Sequence, residues 1–184
     1  MKRQNRRERR SVCLEDLKND LPHIPRACGE AHTQAAVVCF KDRGHAPEVL
    51  LVVEGGSDSE EVCVRWKTRL TPQIVNYWKD MKKAAEEGAV GLAFLLARLL
   101  HGYTVVERAM TATGIDWWLG TEDNPLFQKK ARLEVSGILN GTKTQVRQRT
   151  EQKKEQTKQS DQSKLPAYVV VVEFSTPRSV VVKR

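Results

Sequence analysis

Gly114-Ile115-Asp116-Trp117-Trp118-Leu119 and, further along, Arg132-Leu133-Glu134-Val135-Ser136-Gly137-Ile138 are two short apolar runs, each with one acid inside it. A strand that buries a face rarely carries a carboxylate unless the acid has a partner. On adjacent strands, Asp116 and Glu134 converge on one point. Converging carboxylates are what a hard divalent cation such as Mg²⁺ requires. The plainer alternative puts both acids at solvated strand ends.

Around this pair the chain reads as an alternation of strands and helices. Residues 103–108, 114–119 and 131–139 are three strands joined by short turns, an antiparallel meander. Ahead of them Thr71-Pro72 starts a helical pattern, Thr as N-cap and Pro in the first turn, that runs to residue 100 in two pieces parting near Gly88. The second piece, 84–101, is apolar on most sides and therefore central. Behind the meander, residues 142–159 form a polar helix with Thr142 as N-cap. Residues 167–174 are continuously apolar, an interior strand, and 180–182 form a last short strand. On the N-terminal side, residues 11–20 read as a short helix capped by Ser11. Residues 35–40 and 48–54 read as a hairpin, and 61–66 as a further strand. The order α-β-β-β-α-β over residues 72–174 predicts a mixed α/β (α+β) domain. It has a central mixed sheet flanked by helices, with the segment 11–66 extending the sheet or packing beside it. Residues 11–184 then make one domain, preceded by a basic arm at 1–10.

Composition sets limits on partners. Of 184 residues, 40% are hydrophobic, enough for a real core. Lys and Arg number 31 against 23 acids, a net charge of +8, which favours a polyanion such as nucleic acid. No apolar run reaches membrane-spanning length, and the basic start has no apolar segment of a secretory signal behind it. Cys13, Cys28, Cys39 and Cys63 contain no Cys-x-x-Cys spacing, which argues against zinc. Cys39 and Cys63 lie in strand-like runs as buried thiols. The expected compartment is a reducing cytoplasm.

The element order and the two acids resemble the PD-(D/E)xK nuclease superfamily, the restriction-endonuclease-like fold, over about 100 residues. The resemblance implies that Asp116 stands for the motif Asp and Glu134 for the (D/E). Both would ligate Mg²⁺ or Mn²⁺, with DNA as substrate. The motif lysine should fall at 136, where this chain has Ser136, and the motif proline is Ile115. A serine hydroxyl supplies no cation. Either another basic residue fills the space or the chemistry is weak or lost.

Arg149, Lys153 and Gln156 are spaced i, i+4, i+7 on the polar helix and share one face, from which they could reach a phosphate. Lys153 is the candidate catalytic cation beside Asp116, Glu134 and Ser136. Arg147 joins Arg149, Lys153 and Gln156 as a nucleic-acid contact. The alternative is a solvated charged face. Glu86 shares the small-residue face of the first helix and is a third candidate metal ligand, or a wet residue near a bend. Of Trp117 and Trp118, one belongs to the core, and the other either stacks on a base or deoxyribose or packs against the charged helix. No histidine pair has metal spacing. The leading expectation is a metal-dependent DNA endonuclease-like protein. The alternative is a nuclease fold without chemistry, acting as a nucleic-acid-binding or protein-interaction subunit. A small accessory protein with incidental charge is a third reading. A homodimer or a place in a larger complex is open, and a membrane partner is not expected.

Overall fold

A computed structural model describes residues 10–19, 21–56, 58–123 and 128–184. The N-terminal arm falls outside these residues except for Arg10. In chain order the elements are β1 (Ser11–Cys13), α1 (Asp16–Asn19), α2 (Arg26–Asp42), β2 (Glu48–Gly55), β3 (Asp58–Arg65), α3 (Pro72–Tyr77), α4 (Met81–His101), β4 (Thr104–Arg108), β5 (Trp117–Gly120), β6 (Ala131–Ile138), α5 (Lys143–Gln156), β7 (Ala167–Glu173) and β8 (Arg178–Lys183), with a 3-10 turn at Thr157–Ser163. All eight strands belong to one mixed sheet, in the order β1-β3-β2-β8-β7-β6-β5-β4. β6 and β7 run parallel, as do β2 with β8 and β1 with β3. The other neighbours are antiparallel.

The layering follows from side-chain alternation along the strands. Leu133 and Val135 of β6, and Tyr168, Val170 and Val172 of β7, pack with α2 and α4 in the main core. Val169 and Val171 point the other way and meet Val146 of α5. β7 is therefore buried on both faces, which is why its sequence is continuously apolar. From α4 to β7 the chain follows the expected helix, three strands, helix, strand. α4 begins at Asp80, whose carboxylate accepts from the N–H groups of Lys82 and Lys83, and ends at Gly102 in the left-handed region, φ 67°. No helix among the described residues is long and apolar enough to cross a membrane.

The N-terminal expectations need correction. Residues 35–40 lie inside helix α2, not in a strand, so Cys39 is helical. Every one of the six is buried, and a helix covered on all sides loses the periodicity that tells it from an interior strand. Burial pushes the Cys39 thiol up to about 12. The hairpin is β2–β3, and the expected strand at 61–66 is its second arm. Ser11 starts strand β1 rather than capping a helix, and among the described residues of 11–20 only Asp16–Asn19 is helical. The helical segment before the meander breaks at residues 78–80, not at Gly88, which sits inside α4.

α4 lies so close to β6 that a Cβ at Gly137 would fall inside the carbonyl oxygen of Ala85. Backbone cannot give way as a flexible side chain can. Gly137→Ala is therefore expected to cost about 1–3 kcal/mol, the usual scale of overpacking. In a chain of this size that is a drop in Tm of roughly 2–12 °C. Thermal unfolding followed by circular dichroism checks it, and an unchanged Tm would mean that α4 does not rest on β6.

Candidate active site

β5 and β6 part company at Asp116. The ladder pairs Leu119 with Ala131, Trp118 with Arg132 and Trp117 with Leu133, then stops. Asp116 still donates its N–H to the Leu133 carbonyl at 3.0 Å. Beyond that point the N–H of Val135 loses its strand partner, and a buried N–H needs one. The Asp116 carboxylate supplies it, with Oδ2 accepting at 2.8 Å. Asp116 thus stands at the entry of β5, not inside it, with its carboxylate driven into the fork between the strands.

Glu134 is the next residue along that fork. It is 0% exposed, in mid-strand, on the face opposite Leu133 and Val135. Its Oε1 accepts from the Lys153 ammonium and from the Gln156 amide at 2.9 Å, and the Gln156 carbonyl accepts from Lys153 at 3.2 Å. Its Oε2 is buried without a hydrogen-bond partner among the described residues. The facing carboxyl of Asp116 can bond to it only when one of the two holds a proton. Burial, and then the charge of Asp116, push the Glu134 carboxyl up to about 7, against the pull of Lys153.

The polar helix is built to deliver these partners. Thr142 caps α5 in a reciprocal bond pattern with Gln145, accepting at 3.2 Å and donating its own N–H at 2.8 Å. α5 then runs back along β6. Arg149 donates to the Ser136 hydroxyl at 3.0 Å, and one turn later Lys153 reaches Glu134. Gly114, at φ 75°, lets the loop before Asp116 rest on the carbonyl of Gln156 at the end of α5. A side chain there would collide with that carbonyl.

The structure therefore gathers Asp116, Glu134, Ser136, Arg149, Lys153 and Gln156. It does not bring Glu86 to them. Glu86 is half-buried on α4, in the layer on the other face of the sheet, and pairs with Lys83 at 2.8 Å. Among the described residues no three His, Cys, Asp or Glu side chains cluster. Arg147 is exposed on the opposite flank of α5, where it lines a groove of about 1200 Å³ beside β8. Two features were missed from the sequence. One is the backbone-capping role of Asp116, which no spacing reveals. The other is Arg132, whose buried guanidinium bonds Leu165, Thr157, Ser160 and Asp161. An arginine opening an apolar strand was the available signal.

The raised Glu134 carboxyl has a consequence for stability. Below pH 4.5, its ordinary value, it is protonated in folded and unfolded chains alike. From there to about 7 the folded protein keeps a proton that the unfolded chain has lost, so stability falls as pH rises, then levels off. The fall is roughly 3 kcal/mol at about 1.4 kcal/mol per pKa unit. Glu134→Gln removes the titration and is expected to flatten that part of the curve. Urea unfolding across pH in a chelating buffer checks this, and identical profiles for the two proteins would overturn it.

No family model matches the chain, and no curated protein or solved structure does, so the chemistry of the site has to be read from its own geometry.

Proposed function

We propose that this protein is a metal-dependent phosphodiesterase of nucleic acid, with DNA as substrate. One observation carries the reading: the buried, unpartnered Oε2 of Glu134 faces the carboxylate of Asp116, with a lysine at hand. Close carboxylates repel each other, and a buried acceptor without a donor is costly. A hard divalent cation relieves both, so the donor set fits Mg²⁺ or Mn²⁺. Asp116 and Glu134 would hold it, with water and phosphate oxygens completing the shell. When bound, such an ion polarises a phosphate and lowers the pKa of a water beside it.

The chain's own groups supply the rest. The Arg149 guanidinium sits on Ser136, the position where the resembling nuclease superfamily carries its lysine. It replaces that cation from the helix side and keeps its charge at any working pH. Lys153 adds a second cation one turn away, partly exposed and bonded to Glu134 and Gln156, from which it would turn a remaining N–H to a phosphate oxygen. Gln156 fixes that ammonium against Glu134. The net charge of +8 supports a polyanionic substrate.

A second reading, a nucleic-acid-binding subunit without chemistry, is favoured by one fact: Lys153 already gives Glu134 a counter-charge.

Asp116→Asn keeps an acceptor for the Val135 N–H but removes the charge a cation needs. It is expected to fold, to lose a single-site Mg²⁺ isotherm in calorimetry, and to lose most Mg²⁺-dependent cleavage of DNA. Lys153→Gln should lower kcat roughly 10²-fold or more, the scale of removing a positioned acid–base or charge-stabilising group. Equal cleavage by wild type and Asp116→Asn would refute the assignment. DNA binding without Mg²⁺ uptake would leave the second reading.

A further inference from the structure

Asp116 and Trp118 share one face of the sheet at the entry of β5. Alternation requires it, because Trp117 and Leu119 point into the layer of α2 and α4, where Trp117 packs edge-on to Phe94 at 5.1 Å. Trp118 therefore points to the side of Glu134. Its strand partners are Arg132 on β6 and Glu107 on β4. Glu134 lies two residues beyond Arg132, so the Cα atoms of Asp116 and Glu134 lie about 7 Å from that of Trp118, along and diagonally across the strands. The helix on this side, α5, packs on β6, β7 and β8, and β4 and β5 form the outer edge of the sheet.

The indole is built differently from the other three. Trp66 is buried and stacks on Phe40, and Trp78 is buried. Trp117 is packed against the core beneath Arg108. Trp118 is half-buried outside both apolar clusters, and the Lys129 ammonium stands 4.6 Å from its ring centroid. Lys129 is itself held by Glu107 at 2.8 Å. The Lys129 ammonium covers one face of the indole, so a base would stack on the other, with the cation at hand for its phosphate, the combination that holds a single strand.

We infer that Trp118 is a stacking platform for an unpaired base next to the carboxylate pair, so that the substrate class is single-stranded or locally unwound DNA. The inference rests on the nucleic-acid reading of the site. Bases inside an intact duplex are stacked on one another and have no free face to offer at the strand backbone. Any base can occupy the platform, so it sets substrate form and not sequence.

The experiment uses the full chain carrying Asp116→Asn, in EDTA, with a short fluorescent single-stranded oligodeoxynucleotide, an abasic strand of equal length, and the duplex. The intact single strand is expected to bind most tightly and to quench tryptophan emission. Trp118→Leu should weaken that binding by roughly 5- to 150-fold, the range for one base–aromatic stack. It should leave the abasic strand nearly unaffected, and Trp118→Phe should recover much of the loss. A protein without Trp118→Leu that binds intact and abasic strands equally overturns the inference, whatever the variants do. So does a folded Trp118→Leu that still prefers the intact strand. Because no metal is present, this result is separable from the cleavage assay. No preference for the intact strand in the protein that keeps Trp118, with wild-type cleavage present, sinks the platform alone, and a clear preference without wild-type cleavage sinks the phosphodiesterase alone.

Discussion

A glutamate is charged at neutral pH in most proteins, yet Glu134 is sealed in the middle of a strand, and much of the surrounding architecture answers that constraint. β6 carries three polar side chains on its α5 side, Arg132, Glu134 and Ser136, and all three are buried. Buried polar groups have to be bonded. The chain meets this with a helix that has almost no apolar face: Val146 is its only buried hydrophobic residue. Arg149, Lys153 and Gln156 serve Ser136 and Glu134, and the 3-10 turn that follows serves Arg132. Such an arrangement is poor value as a stabiliser, since apolar side chains of similar volume commonly do as well or better. The large apolar cluster lies instead between α2, α4 and the inward side of the sheet.

A second buried carboxylate gives the contrast. Glu173 is also 0% exposed, but its oxygens accept from the N–H groups of Ser175 at 2.8 Å, Thr176 at 3.0 Å and Gly141 at 3.3 Å. Backbone at the β7–β8 turn and the approach to α5 thus meets both oxygens, and the Ser175 hydroxyl and, at 3.7 Å, the Arg178 guanidinium add to it. Glu134 has equal burial and one oxygen left over. Burial alone does not distinguish the two acids; the unfilled valence of Glu134 does.

Sequence alone revealed the parts of the fold that have a strong pattern. The apolar run of β7, the apolar helix α4 and the capped polar helix α5 are each legible from composition and spacing. Residues 35–40 were not, because complete burial erases the difference between a helix and an interior strand. At the site, Asp116 and Glu134 stood out as acids that their runs could not hold without a partner. The i, i+4, i+7 spacing of Arg149, Lys153 and Gln156 marked the face of α5 that meets Ser136 and Glu134. Glu86 and Arg147 show the limit of that logic. Helical spacing says which residues share a face, but not which layer of the protein the face meets.

Gly114 joins the two halves of the site by main chain alone. The loop that aims Asp116 lies directly on the peptide carbonyl of Gln156, the residue that ends α5. Side chains at such a junction could swing between rotamers and let the halves drift. Two backbones in contact have no such slack. α5 and the Asp116 loop therefore meet main chain to main chain, and any side chain at Gly114 has to part the end of the helix from the loop that carries the carboxylate.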